Sequence, residues 1–194
     1  MTWKLNPTLW RTARVLANEE RLRVLRRIYM EAPRNVTEVG RRERISKSRA
    51  SQILRALQSR GLIRPQRVGV WVCYTPEVNA SVEQAGPLAT ALRKVLAISN
   101  PDYQAMLARL TAFTYPRRIA IVQAIANGAA TRAEVAAACR LCPQVLGRHL
   151  AKLIRRGVVT EEKGRLALTS PIDPLSAALR ALALESRAPL ERSL

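Results

Sequence analysis

The sequence predicts a mainly α-helical chain with small β-hairpins, organised as two tandem units of the same layout. Three observations carry this expectation: apolar residues recurring at helical spacing, β-rich runs that follow a glycine in two places, and an internal repeat at a separation of 96 to 97 residues. Leu54 matches Leu150, Leu57 matches Leu153 and Gly61 matches Gly157. The 194 residues suffice for two domains, because a domain of about 70 to 100 residues can bury its own core. The expected division is residues 1–80 for the first domain, 81–100 for a linking helix, 101–170 for the second domain and 171–194 for a C-terminal helix and tail.

In the first unit, Leu22, Leu25, Ile28 and Tyr29 form one amphipathic stripe after Asn18, a capping residue, with Pro33 just beyond the helix end. A short helix over 36–43 follows. Ser46 then caps a helix whose Ala50, Ile53, Leu54 and Leu57 make one apolar face. Gly61 suits the C′ position that ends it, and the runs LIRPQR and VWVCYT on either side of Val68 and Gly69 read as a hairpin. The second unit repeats this order, with a helix from Pro116 to Asn127 and Gly128, a short one over 131–138, one opening at Pro143, and the shorter hairpin VVTEEKGRLALT. Helices are also expected within 81–99, over 103–112 and over 174–184. Helix, helix-turn-helix and hairpin wing in that order, twice, give tandem winged helix-turn-helix domains.

Charge narrows the partner. The chain holds 33 Lys and Arg against 14 Asp and Glu, a formal +19, so a polyanion is the natural ligand. Residues 1–80 are the more basic part, +11 against +7 for residues 117–194. No run of about 18 apolar residues is present, which argues against a membrane partner. The N-terminus lacks a signal-peptide core, and three cysteines are too few for a disulfide framework, so the expected location is the cytoplasm.

At LANEERLRVL, SKSRASQILRALQSRGLI and GVWVCY, over about residues 9–76, the first unit resembles the ArsR-type family of winged helix-turn-helix repressors. The second, over about 107–170, is similar to it through YPRRIAIV and GRHLAKLIRRGVV. The resemblance implies a transcription regulator, a repressor in many members, that binds double-stranded operator DNA. It also implies pairing, which two chains as a homodimer, or the tandem layout itself as an intramolecular pseudo-dimer, would supply. The cysteines of the family's metal sensors are missing from VTEVGRRERIS, and the one histidine, His149, lies in the second recognition helix. No metal or other cofactor is therefore expected.

A recognition helix presents its first residues to base edges, and flanking cations hold phosphates. Lys47, Ser48, Arg49, Ser51, Gln52 and Arg55 point away from the apolar stripe of the first such helix, where Gln can pair with adenine and Arg with guanine. Arg64 and Arg67 in the first hairpin suit phosphate. The second helix offers Gln144, Arg148 and Lys152, a thinner set, beside a hairpin whose Glu161 and Glu162 repel phosphate.

Cys139 and Cys142 form a C-x-x-C pair open to three readings: packing and helix capping, a redox switch, or two ligands of a metal. His149 takes the place of Ile53 and is expected beside the core or against phosphate. Trp3, Trp10, Trp71 and Phe113 are expected as core anchors, Phe113 within a helix. No phosphate loop, paired acids or nucleophile elbow occurs, so no enzyme is expected. A competing reading is a tandem winged-helix adaptor in chromosome organisation that works through protein contacts, and a third class binds structured RNA.

Overall fold

The computed structural model describes residues 7–31 and 34–186. Trp3 and Pro33 lie outside the described residues. The structure is mainly helical, with helices α1 (Leu9–Leu16), α2 (Glu19–Glu31), α3 (Val36–Glu43), α4 (Lys47–Gln58), α5 (Ala85–Leu96), α6 (Tyr103–Ala112), α7 (Pro116–Ala126), α8 (Arg132–Cys139), α9 (Pro143–Arg155) and α10 (Pro174–Glu185). Five short strands form two antiparallel sheets. Strands β1 (Arg34–Asn35), β2 (Arg64–Val68) and β3 (Trp71–Thr75) are ordered β1-β3-β2, and β4 (Val159–Glu162) pairs with β5 (Arg165–Leu168). Contacts divide the described residues into two compact units, one of residues 7, 15–31 and 34–107 and the other of residues 8–14 and 108–186. The helix expected to link two domains, α5, belongs to the first, where Arg26 of α2 donates to the carbonyl of Leu96 at 2.9 Å.

The first unit is built on two helices at a tight turn. Asn35 caps α3 reciprocally: its side chain accepts from the Glu38 N–H while the Glu38 carboxylate accepts from the Asn35 N–H. The helix ends on Arg44 in the left-handed conformation, φ +56°, which turns the chain into Ser46, whose hydroxyl accepts from the Arg49 N–H at 3.1 Å and starts α4. Ala50, Ile53, Leu54 and Leu57 of α4 are buried together with Leu22, Leu25 and Ile28 of α2 and Val39 of α3. Helix α4 ends at Gln58, and Gly61 stands three residues later rather than one, with φ +72°. The two-residue turn Gly69–Val70 joins β2 to β3, with Val68 opposite Trp71.

The second unit repeats these devices in detail. Thr131 and Glu134 form the reciprocal cap of α8, Arg140 ends it at φ +50°, and Cys142 takes the position of Ser46 before α9. Leu146, Leu150 and Leu153 of α9 are buried with Ile119, Val122 and Ile125 of α7, and Leu175, Leu179 and Leu182 of α10 join the buried apolar residues. Where β1 pairs with β3 in the first unit, here a single backbone bond runs from the Leu166 N–H to the Ala130 carbonyl at 2.7 Å.

The structure adds two elements and corrects two expectations. Helix α1 is an addition, and its Leu9, Thr12, Ala13 and Leu16 keep helical spacing and are all buried. Strand β1 is too short to leave a pattern. Phe113 is buried but lies one residue past α6. Trp71 is 57% exposed and anchors no core, because its end of β3 extends beyond the helices, with Val68, Val70 and Val72 exposed around it.

Gly61 and Gly157 occupy matching left-handed turns with unequal space. A Cβ at Gly61 would stand 2.9 Å from the Val82 Cβ, whereas Gly157 has nothing within 4 Å. Chemical denaturation should therefore show Gly61→Ala losing clearly more stability than Gly157→Ala, whose cost is the left-handed penalty of roughly 1–2 kcal/mol alone.

Candidate nucleic-acid interface

Helix α4 buries one side and leaves the other to solvent. At about 100° per residue, Ser48, Gln52 and Arg55 fall on a single face, and all three are exposed, as is Lys47 at the helix start. Ser51 is half-buried at one flank. Arg49 lies at the other flank, where its guanidinium is engaged by Glu20 of α2, with Nη2 2.7 Å and Nε 2.8 Å from Oε2. That pairing ties α4 to α2. The hairpin beside it is exposed along all of β2. Arg67 is exposed, while Arg64 stands 3.6 Å from the Glu77 carboxylate in an open ion pair, a contact worth little in water.

On α9 the corresponding outward face carries Gln144 and Arg148, both exposed. Arg155, one turn pair further along, joins them; the i, i+7 spacing from Arg148 carried that signal. Lys152 is half-buried and sits to one side of this face. One of the two carboxylates of the second hairpin is paired. Arg132 grips Glu161 with two bonds of 2.6 Å, and this partner pulls the Glu161 carboxyl below its usual range.

Cys142 caps α9 by position only, its side chain making no capping bond, and its thiol is exposed. Cys139 is buried, and burial pushes its thiol pKa up. Among the described residues no three His, Cys, Asp or Glu side chains gather as metal ligands. His149 is half-buried with its ring 6.1 Å from that of Tyr115. Burial, then Arg118, Arg117 and Arg148, push its pKa down.

Comparison with protein-family models, with curated proteins and with solved structures finds no match. Among the described residues no helix is long and apolar enough to cross a membrane.

Two outcomes follow from the thiol and imidazole environments. Thiol titration of the native protein should modify one cysteine per chain rapidly, Cys142, with Cys73 and Cys139 reacting only on denaturation. Because the unfolded chain holds the His149 proton more tightly, stability should fall as pH drops through the ordinary histidine range; His149→Gln should flatten that slope in denaturation curves measured between pH 5 and pH 8.

Proposed function

We propose that this protein is a sequence-specific regulator of transcription that binds double-stranded DNA through tandem winged helix-turn-helix units, with α4 as the principal reading helix. The observation that carries the reading is the exposed face of Ser48, Gln52 and Arg55, beside Lys47 and the basic hairpin. Its side chains are of the types that address base edges: Gln pairs bidentately with adenine and Arg with guanine. Lys47, Arg67 and Arg64 supply the sequence-independent attraction to phosphate. Support also comes from the resemblance of the first unit to ArsR-type repressors and from the +19 formal charge.

The second unit is the weaker reader. The position matching Arg55 is Ala151 and that matching Ser51 is Gly147, so α9 brings fewer hydrogen-bonding groups to the same face. Arg148 and Arg155 suit phosphate better than a defined base.

One observation favours a second reading, a tandem winged-helix adaptor that works through protein contacts. The hairpin tip exposes Val68, Val70, Trp71 and Val72, and Val70 is 84% exposed. Clustered apolar residues at a surface mark binding to another molecule.

Binding assays with random duplex, single-stranded DNA and RNA at two salt concentrations separate these readings, followed by sequencing of the duplex fragments retained. The expected result is preferential, salt-sensitive duplex binding with an enriched sequence. In that sequence Gln52→Ala or Arg55→Ala should weaken binding by about 1–3 kcal/mol and relax one position. Arg67→Ala should weaken all duplexes alike. Absence of duplex binding, or equal affinity for RNA, would overturn the proposal.

A further inference from the structure

The repeat shows where the second unit departs most from the first. Helices α2 and α7 match at a separation of 97 residues, Leu22 with Ile119, Leu25 with Val122 and Ile28 with Ile125, all buried. On this register Glu19 and Glu20 at the start of α2 correspond to Pro116 and Arg117 at the start of α7, and Arg21 to Arg118. The first turn of α2 carries two acids, as a helix N-terminus favours. The first turn of α7 carries none, has no side-chain cap, and places two arginines there.

Other cations converge on this turn. Arg14 of α1 donates to the Thr114 carbonyl at 3.3 Å, and Arg118 donates to the Thr114 hydroxyl at 2.6 Å and the Thr111 carbonyl at 2.7 Å. Both guanidiniums lie against the ring of Tyr115, at 5.1 Å and 4.8 Å from its centre. His149 and Lys152 of α9 and Arg156 at its C-cap follow at i, i+3 and i+7, where the first unit has Ile53, Ala56 and Arg60. Two positions that are apolar in the first unit, Ile53 and Ala56, carry an imidazole and an ammonium in the second. Among the described residues none of the ion pairs involves Arg14, Arg117, Arg118, Lys152 or Arg156.

Arg118 is only 5% exposed, has no carboxylate partner, and leaves its Nε without a hydrogen bond. A buried guanidinium ordinarily needs a counter-charge. Burial, with Arg14 and Arg156 nearby, pushes its pKa down, and burial together with Arg156, Arg155 and Arg118 does the same to Lys152. Arg14, Tyr115 and Arg117 beside it are exposed to solvent.

We propose that the first turn of α7 binds a phosphate group, held by Arg14, Arg117, Arg118 and Lys152, with Tyr115 and His149 at its rim. Guanidinium donors and an ammonium match the charge and the acceptor oxygens of phosphate, and the positive end of the α7 dipole adds to the attraction. The chemistry is shared by a free phosphorylated compound and by the backbone of a duplex, and it does not depend on base reading by α4.

The single histidine is the reporter. The imidazole resonance of the full-length protein gives the His149 pKa by pH titration, with no other histidine to confuse it. Pyrophosphate should raise that pKa by about one unit or more, as a nearby anion does, and should raise the melting temperature, whereas sodium chloride at equal ionic strength should do neither. A short duplex that shifts His149 when pyrophosphate does not would assign the site to backbone phosphate. Pyrophosphate acting where the duplex does not would assign it to a free phosphorylated ligand. Arg117→Glu restores the acid found in the first unit: it should raise the melting temperature without phosphate and abolish both responses. Arg117→Lys should keep them. If neither probe moves His149, or if sodium chloride moves it equally, the proposal is overturned. Because duplex binding through α4 is read separately by Gln52→Ala, failure here leaves that reading standing.

Discussion

The buried stripe of α4 is the constraint from which the rest of the candidate interface follows. Ala50, Ile53, Leu54 and Leu57 pack into the first unit's core, and apolar burial of this kind supplies roughly 1.5–3 kcal/mol for each large aliphatic side chain. Once that side is committed, the helical repeat leaves Ser48, Gln52 and Arg55 outward. The tight turn before α4 then sets the direction of the helix. It depends on the reciprocal Asn35 and Glu38 cap, a left-handed Arg44 and the Ser46 cap, each satisfying groups that a helix end leaves bare.

The second unit keeps this frame and changes the chemistry mounted on it. Its cap pair is Thr131 and Glu134, its left-handed residue is Arg140, and its stripe is Leu146, Leu150 and Leu153. What differs lies at the margins of the core. Glu20, which in the first unit ties Arg49 to α2, has Arg117 at its matching position, and Arg49 itself is matched by Val145. The ion pair is replaced by a cationic rim around Tyr115. The two units share the apolar positions that hold each together and differ at the polar ones.

Much of the framework was legible from residue types. Apolar periodicity located α2, α4, α7 and α9, and the capping residues Asn18 and Ser46 placed the starts of α2 and α4 within a residue, because these signals are local in the chain. Helix α1 keeps helical spacing, but its eight residues make little more than two turns, too short a run for the periodicity to stand out. Trp71 was misplaced for a different reason. A strand's alternation states which residues share a side but not how far the strand runs past the helices that would cover it, and Trp71 stands beyond that cover.

The sequence by itself determined the mainly helical class, the repeat at 96 to 97 residues, the outward set on α4 and the excess of positive charge, all of which depend on spacing and composition. Only the tertiary structure decided which cations are spoken for. Arg49 is held by Glu20 and Arg132 holds Glu161, whereas Arg14 and Arg118 meet around Tyr115 without a carboxylate. Coulomb energy falls with distance through space, and residues 14, 118 and 152 become neighbours only when α1, α7 and α9 pack.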